Sequence, residues 1–162
     1  MDSNYSLASS TLSEEDLAAL QQTIASGRFT MGERVAAFEQ AFAQFQGSKY
    51  CVMVNSGSSA NLIMTAALCY RQEGRLQRGD EVIVPAISWS TTYQPLHLFG
   101  LKLKFVDIDK STLNYDVDQL KEAISSKTRL LVCVNLLGNP NQFDVIQQLC
   151  QQHDVIMIED NC

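Results

Sequence analysis

A chain of 162 residues, 46% of them hydrophobic and 19% charged, is long enough for one domain with a sizeable core, burying roughly 70% of its unfolded surface, and two independent domains are not expected. Its net charge of -6 and pI near 4.8 exclude nucleic acid or an anionic membrane as the main partner, since both need a concentration of Lys and Arg that is missing here. Five cysteines, at 51, 69, 133, 150 and 162, are scattered and odd in number, so they are expected as small core residues and not as disulfides or metal ligands.

The first residues, Met1-Asp-Ser-Asn-Tyr-Ser, have neither the basic nor the apolar region of a secretion signal, and no later stretch is apolar for long enough to span a bilayer. A cytoplasmic protein is expected. Ser13 ahead of Glu14, Glu15 and Asp16 predicts a helix start, because acids in the first turn face the positive end of the helix dipole. Leu17, Leu20 and Ile24 then share one apolar face, and Gly27 ends the helix. The loop Gly27-Arg-Phe-Thr-Met-Gly32 either anchors itself in the core through Phe29 and Met31, the favoured reading, or offers them as a contact surface. Val35, Phe38, Phe42 and Phe45 mark a second helix, closed by Gly47.

Tyr50-Cys-Val-Met-Val54 is an apolar, β-branched run that predicts a buried strand. A helix with Leu62, Ala66, Cys69 and Tyr70 on one face follows it. Between them lies Asn55-Ser-Gly-Ser-Ser-Ala-Asn61, a turn of small residues whose Gly57 admits a close ligand. Such a turn exposes the unpaired N–H groups of a helix start and suits a phosphate, with an ordinary Ser-capped helix as the equal alternative. Further strands are predicted at Glu81-Val-Ile-Val-Pro85, Leu103-Lys-Phe-Val106, Leu130-Leu-Val-Cys-Val134 and Val155-Ile-Met-Ile158. Helices through Leu96 and Phe99, Leu120 and Ile124, and Ile146 and Leu149 connect them.

Short apolar strands alternating with amphipathic helices predict an α/β fold with a mainly parallel sheet flanked by helices. Ligands of such sheets bind beyond the carboxyl ends of the strands, where Ser56 to Ser59, Ser88 to Thr92, Asn135 to Asn139 and Glu159-Asp160 all fall. Trp89, the one tryptophan, is placed to cover a planar ligand or to anchor a core or interface. Asp160 follows a buried strand, so its charge calls for a cation such as a protonated ring nitrogen, unless water reaches it. An anion cradle, an aromatic plane and a carboxylate are what a phosphorylated pyridine requires, and together they point to pyridoxal 5'-phosphate or pyridoxamine 5'-phosphate.

Tyr5-Ser-Leu-Ala-Ser-Ser-Thr11, Phe29-Thr-Met-Gly-Glu33, Ser88-Trp-Ser-Thr-Thr-Tyr93, Asn135-Leu-Leu-Gly-Asn-Pro140 and Glu159-Asp-Asn-Cys162 together resemble the DegT/DnrJ/EryC1/StrS family of fold-type I, vitamin B6-dependent sugar aminotransferases. The resemblance runs from about Tyr5 to the last residue. It implies that Gly57 and Ser58 hold the cofactor phosphate, that Trp89 stacks on the ring and that Asp160 binds the ring nitrogen. Where aminotransferases of the family usually carry His-Leu-Tyr-Gly, this chain has Asn135-Leu-Leu-Gly138, which is similar to the family's 3-dehydratases. Those act on nucleotide-linked 4-keto-6-deoxy sugars in deoxysugar biosynthesis, use the amine form of the cofactor, and recover it with glutamate as amino donor.

The resemblance also implies a homodimer. It places the Lys or His of the Schiff-base position beyond Cys162, so no catalytic residue is expected within residues 1–162. Neither His97 nor His153 matches that position, and nor does Lys102 or Lys104. The chain is then expected to be the N-terminal part of the cofactor-binding large domain, inactive alone, without the rest of that domain or the small C-terminal domain. Two alternatives stand beside the dehydratase: a nucleotide-sugar aminotransferase, and a non-catalytic phosphate-binding module, against which the lack of a Gly-x-Gly-x-x-Gly or P-loop pattern speaks.

Overall fold

The computed structural model describes residues 11–161 and divides the chain into two compact units, one ending at Met53 and the other beginning at Val54. The stretch Tyr5 to Ser10 and Cys162, which carry part of the family resemblance, lie outside the described residues.

The first unit holds helices α1 (Glu14–Ser26) and α2 (Glu33–Gln46). α1 starts on a reciprocal capping box, in which the Ser13 side chain accepts from the Asp16 amide and the Asp16 carboxylate accepts from the Ser13 amide. Both helices end at left-handed glycines, Gly27 and Gly47, as the sequence predicts. The expected core anchoring of Phe29 and Met31 is overturned: they are 74% and 73% exposed. The helices beside them offer no core to enter, since α1 buries no residue and α2 buries only Ala43.

The expected strand Tyr50–Val54 does not form either. An apolar run becomes a strand only where a neighbour takes up its hydrogen bonds, and here the Met53 amide donates instead to Glu39 Oε1 at 2.8 Å, leaving Val52 67% exposed.

The second unit is a four-stranded, all-parallel sheet in the order β2-β1-β3-β4, built from β1 (Glu81–Pro85), β2 (Lys102–Val106), β3 (Thr128–Val134) and β4 (Ile156–Asp160). Side chains alternate between its faces. Val82, Val84, Leu130 and Val132 meet Leu96, Leu68 and Cys69 on the face covered by α3 (Gly57–Tyr70) and α4 (Ser90–Leu98). Ile83, Leu131 and Cys133 meet Leu120, Ile146 and Cys150 on the face covered by α5 (Val117–Ala123) and α6 (Phe143–His153). Burial pushes the Cys133 thiol well above its usual range, as expected of a small core residue.

The face of α3 differs from its apolar spacing: Leu62 is 40% and Tyr70 80% exposed, whereas the polar Asn61 and Thr65 are buried. They point inward because Asn61, Thr65 and Cys69 share the i, i+4, i+8 stripe that faces the sheet. Among the described residues no helix is long and apolar enough to cross a membrane.

Candidate cofactor site at the strand ends

Register brings the carboxyl ends together, with Pro85 opposite Val106 and Val134 opposite Asp160. The chain leaves β1 through Ile87, Ser88 and Trp89, and leaves β3 through the 3-10 turn Leu136–Gly138. These two exits and Asp160 enclose a hollow of about 370 Å³, walled by Ile87, Val134, Leu136 and Leu137 on its apolar side. Trp89, at the N-cap of α4 and 76% exposed, lines it.

Asp160 ends β4 and does not lie beyond it. Its Oδ2 accepts from Thr92 Oγ1 at 2.6 Å and from Asn61 Nδ2 at 2.9 Å, while Oδ1 takes no hydrogen bond from a described residue. Thr92 is buried and also pairs with Ser88 Oγ at 2.8 Å. The carboxylate is thus oriented by neutral donors and keeps its charge for something else in the hollow. No cation among the described residues meets it, so the expectation that its charge calls for a cation is left for a ligand to meet.

Gly57 and Ser58 open α3. The Ser56 side chain accepts from the Ser59 amide and the Ser56 carbonyl from the Ala60 amide, whereas the amides of Gly57 and Ser58 donate to no described residue. A Cβ on Gly57 would meet nothing within 4 Å, and its φ is not positive, so neither packing nor backbone conformation requires glycine here, and the approach to its amide is open. Two free amides at the positive end of a helix suit an anion.

The structure therefore brings Trp89 and Asp160 into one hollow, while Gly57 lines neither that hollow nor its neighbour. Ser58 lines the neighbouring one, about 310 Å³, with Leu62, Thr91 and Pro95. Asn61 bridges the two regions, since it sits one helical turn beyond Gly57 and holds Asp160. Sequence reasoning missed Asn61 and Thr92 as supports of the carboxylate. A signal existed in Pro95, which has no N–H and so leaves the Thr91 carbonyl, its i-4 partner, open to Asn61 Nδ2 at 3.4 Å. His97 and His153 are exposed in the last turns of α4 and α6, away from the hollow's lining. Lys104 donates to the Ala123 carbonyl at 2.6 Å.

Free amides at a helix start, an exposed indole and a carboxylate with one oxygen unengaged fit the donor set of a phosphorylated pyridine. Comparison with known proteins points the same way. A profile of the DegT/DnrJ/EryC1/StrS aminotransferase family matches residues 10–162. The chain is 57% identical over 159 residues to the GDP-4-keto-6-deoxy-D-mannose 3-dehydratase of Yersinia pseudotuberculosis, covering 98% of this chain and 40% of that protein. A solved structure of the Escherichia coli GDP-4-keto-6-deoxy-D-mannose-3-dehydratase with bound hydrated PLP superimposes with a TM-score of 0.94 at 55% identity, over 98% of this chain and 41% of that one. A structure of GDP-4-keto-6-deoxymannose-3-dehydratase with a trapped PLP-glutamate geminal diamine also has a TM-score of 0.94 at 55% identity, with the same coverage of both chains. The chain thus spans about two-fifths of the length of the relatives it matches.

Proposed function

The chain belongs to the DegT/DnrJ/EryC1/StrS aminotransferase family, and from that premise we propose that it is the cofactor-binding part of a 3-dehydratase acting on a nucleotide-linked 4-keto-6-deoxy sugar. The cofactor is pyridoxal 5'-phosphate or its amine, and residues 1–162 form the N-terminal part of the domain that holds it. Glutamate is the amino donor, and the assembly is a homodimer. When bound, the group supplies an electron-poor ring that takes up charge as the sugar's C3 hydroxyl leaves.

The chain's own residues set the conditions for that chemistry. Asp160 keeps a proton on the ring nitrogen, because an anionic carboxylate held by neutral donors favours a cation beside it. Thr92 and Asn61 fix the carboxylate's orientation. Trp89 covers the ring and excludes water from one face. The Gly57 and Ser58 amides hold the phosphate at the start of α3. The family's aminotransferases would use the same four residues, and what favours the dehydratase is Asn135-Leu-Leu-Gly138 together with 57% identity to a 3-dehydratase.

The observation that carries the reading is Asp160, pinned at one oxygen, lining a hollow with an exposed indole. Trp89 is the one tryptophan, so its fluorescence reports occupancy. Titration with pyridoxamine 5'-phosphate is expected to quench it, and Asp160→Asn to weaken that binding about tenfold or more, the equivalent of one lost charge-assisted contact of ~1.5 kcal/mol. Inorganic phosphate binding should be indifferent to the substitution. Equal affinity of wild type and Asp160→Asn for the pyridoxamine compound would refute the assignment.

A further inference from the structure

The turn after β3 holds a leucine in a conformation that leucine disfavours. Leu137 has φ 54° and ψ 27°, in the left-handed region, and its side chain is 84% exposed. Leucine has neither the freedom of glycine nor the local hydrogen bonds that let asparagine adopt that region. Such a conformation persists only where its surroundings over-determine it, and such residues cluster at ligand sites.

The surroundings here are a clamp of asparagines. Asn141, 6% exposed, donates its amide N–H and its Nδ2 to Asn135 Oδ1, at 3.0 and 2.9 Å, and Nδ2 also donates to the Val134 carbonyl. Asn135 Nδ2 in turn donates to Asn161 Oδ1 at 2.6 Å, next to Asp160. Both ends of the turn are therefore tied to the strand ends, and Leu137, between them, lines the hollow that Trp89 and Asp160 share. The isobutyl group belongs to neither core cluster and borders the hollow instead.

Resting on the function proposed above, we propose that Leu137 is a specificity-determining residue that presents carbon to the deoxygenated part of the sugar and discriminates against a hydroxyl there. With Ile87, Val134 and Leu136 it makes one wall of the hollow apolar. A hexose carries hydroxyl groups around its ring and on C6, and any of them pressed on that wall would lose its hydrogen bonds to water without replacement. A deoxy carbon loses none.

The test compares GDP-6-deoxy-D-mannose with GDP-D-mannose, which differ by one hydroxyl, by Trp89 fluorescence on the chain with pyridoxamine 5'-phosphate present. Wild type is expected to prefer the deoxy sugar by roughly ten- to a hundredfold. Leu137→Gly should erase that preference while raising the Tm by about 2–4 °C, because glycine relieves the left-handed strain. Leu137→Asn, which tolerates the same backbone and offers an amide to a hydroxyl, should shift the preference toward GDP-D-mannose. A preference that is absent in wild type or intact in Leu137→Gly, or a Tm lowered by several degrees in that variant, would overturn the proposal. The two readings separate cleanly: failure of pyridoxamine 5'-phosphate to quench wild type sinks the function, whereas Asp160-dependent quenching with a sugar preference unmoved by Leu137 sinks the specificity assignment alone.

Discussion

Asp160 owes its orientation to two neutral donors, a hydroxyl and an amide, and this decides what the residue can do. A paired cation would consume the charge, whereas Thr92 and Asn61 orient the carboxylate and, in the function proposed above, leave it for a protonated ring. Thr92→Val keeps the volume of a buried side chain but removes the hydroxyl that joins Asp160 to Ser88. Urea unfolding followed by circular dichroism should register a loss of about 1.5–3 kcal/mol, the usual worth of a hydrogen bond to a charged group, and Thr92→Ser should restore most of it. Equal stability of the Val and Ser variants would show that the hydroxyl contributes nothing. At this scale the placement of Trp89 and Asp160 around one hollow at the strands' carboxyl ends was legible from the strand pattern. Asn61 was not, because the carboxylate it donates to lies 99 residues away at the end of β4, a pairing no local pattern contains.

The four strands were legible within one or two residues of their ends: β1 and β3 as apolar runs buried on both faces, β2 and β4 as apolar runs that are only partly buried because they lie at the sheet's edges, and their alternation with helices led directly to a parallel sheet. Tyr50–Val54 has the same composition and is no strand, since hydrophobicity reports a wish for burial and not the presence of a neighbour. What binds the sheet's starting edge is polar. Glu81, first in β1, accepts from Thr128 Oγ1 of β3 at 2.6 Å and from Ser125 Oγ at 3.0 Å, with Lys104 of β2 at 3.9 Å. Burial alone would raise its carboxyl, but the Thr128 and Ser125 hydroxyls, then Lys104 and Lys127, outweigh that and hold it below the usual glutamate range. Because the folded value is depressed, the stabilisation is complete above the unfolded value of about 4.3 and is lost as pH falls through the lower folded value. Glu81→Gln should therefore unfold at lower urea than wild type at pH 7, and the gap should narrow toward pH 3. A gap independent of pH would mean the charge on Glu81 is irrelevant to the sheet.

For the molecule in solution, the decisive property is the apolar surface its first unit leaves uncovered. Leu17, Leu20 and Ile24 of α1 and Phe38, Phe42 and Phe45 of α2 are all at least 41% exposed, and the phenylalanines form a row with ring centroids 5.6 and 6.4 Å apart. Aromatic side chains of this size bury about 150–250 Å² each, so the row and its aliphatic neighbours supply a large part of the roughly 800 Å² per partner of a standard interface. Opposing them is a net charge of -6, which repels a second copy until salt screens it. The chain is thus expected to self-associate with rising concentration in sedimentation experiments, and to do so more strongly at 0.5 M than at 0.02 M salt, where the Debye length falls from about 20 Å to about 4 Å. Phe38→Glu combined with Phe42→Glu should leave it monomeric at both ionic strengths, because two desolvated carboxylates on that row cost more than the remaining apolar contacts return. A wild-type chain that sediments as a monomer throughout, or a double variant that associates like wild type, would show that this row carries no self-association.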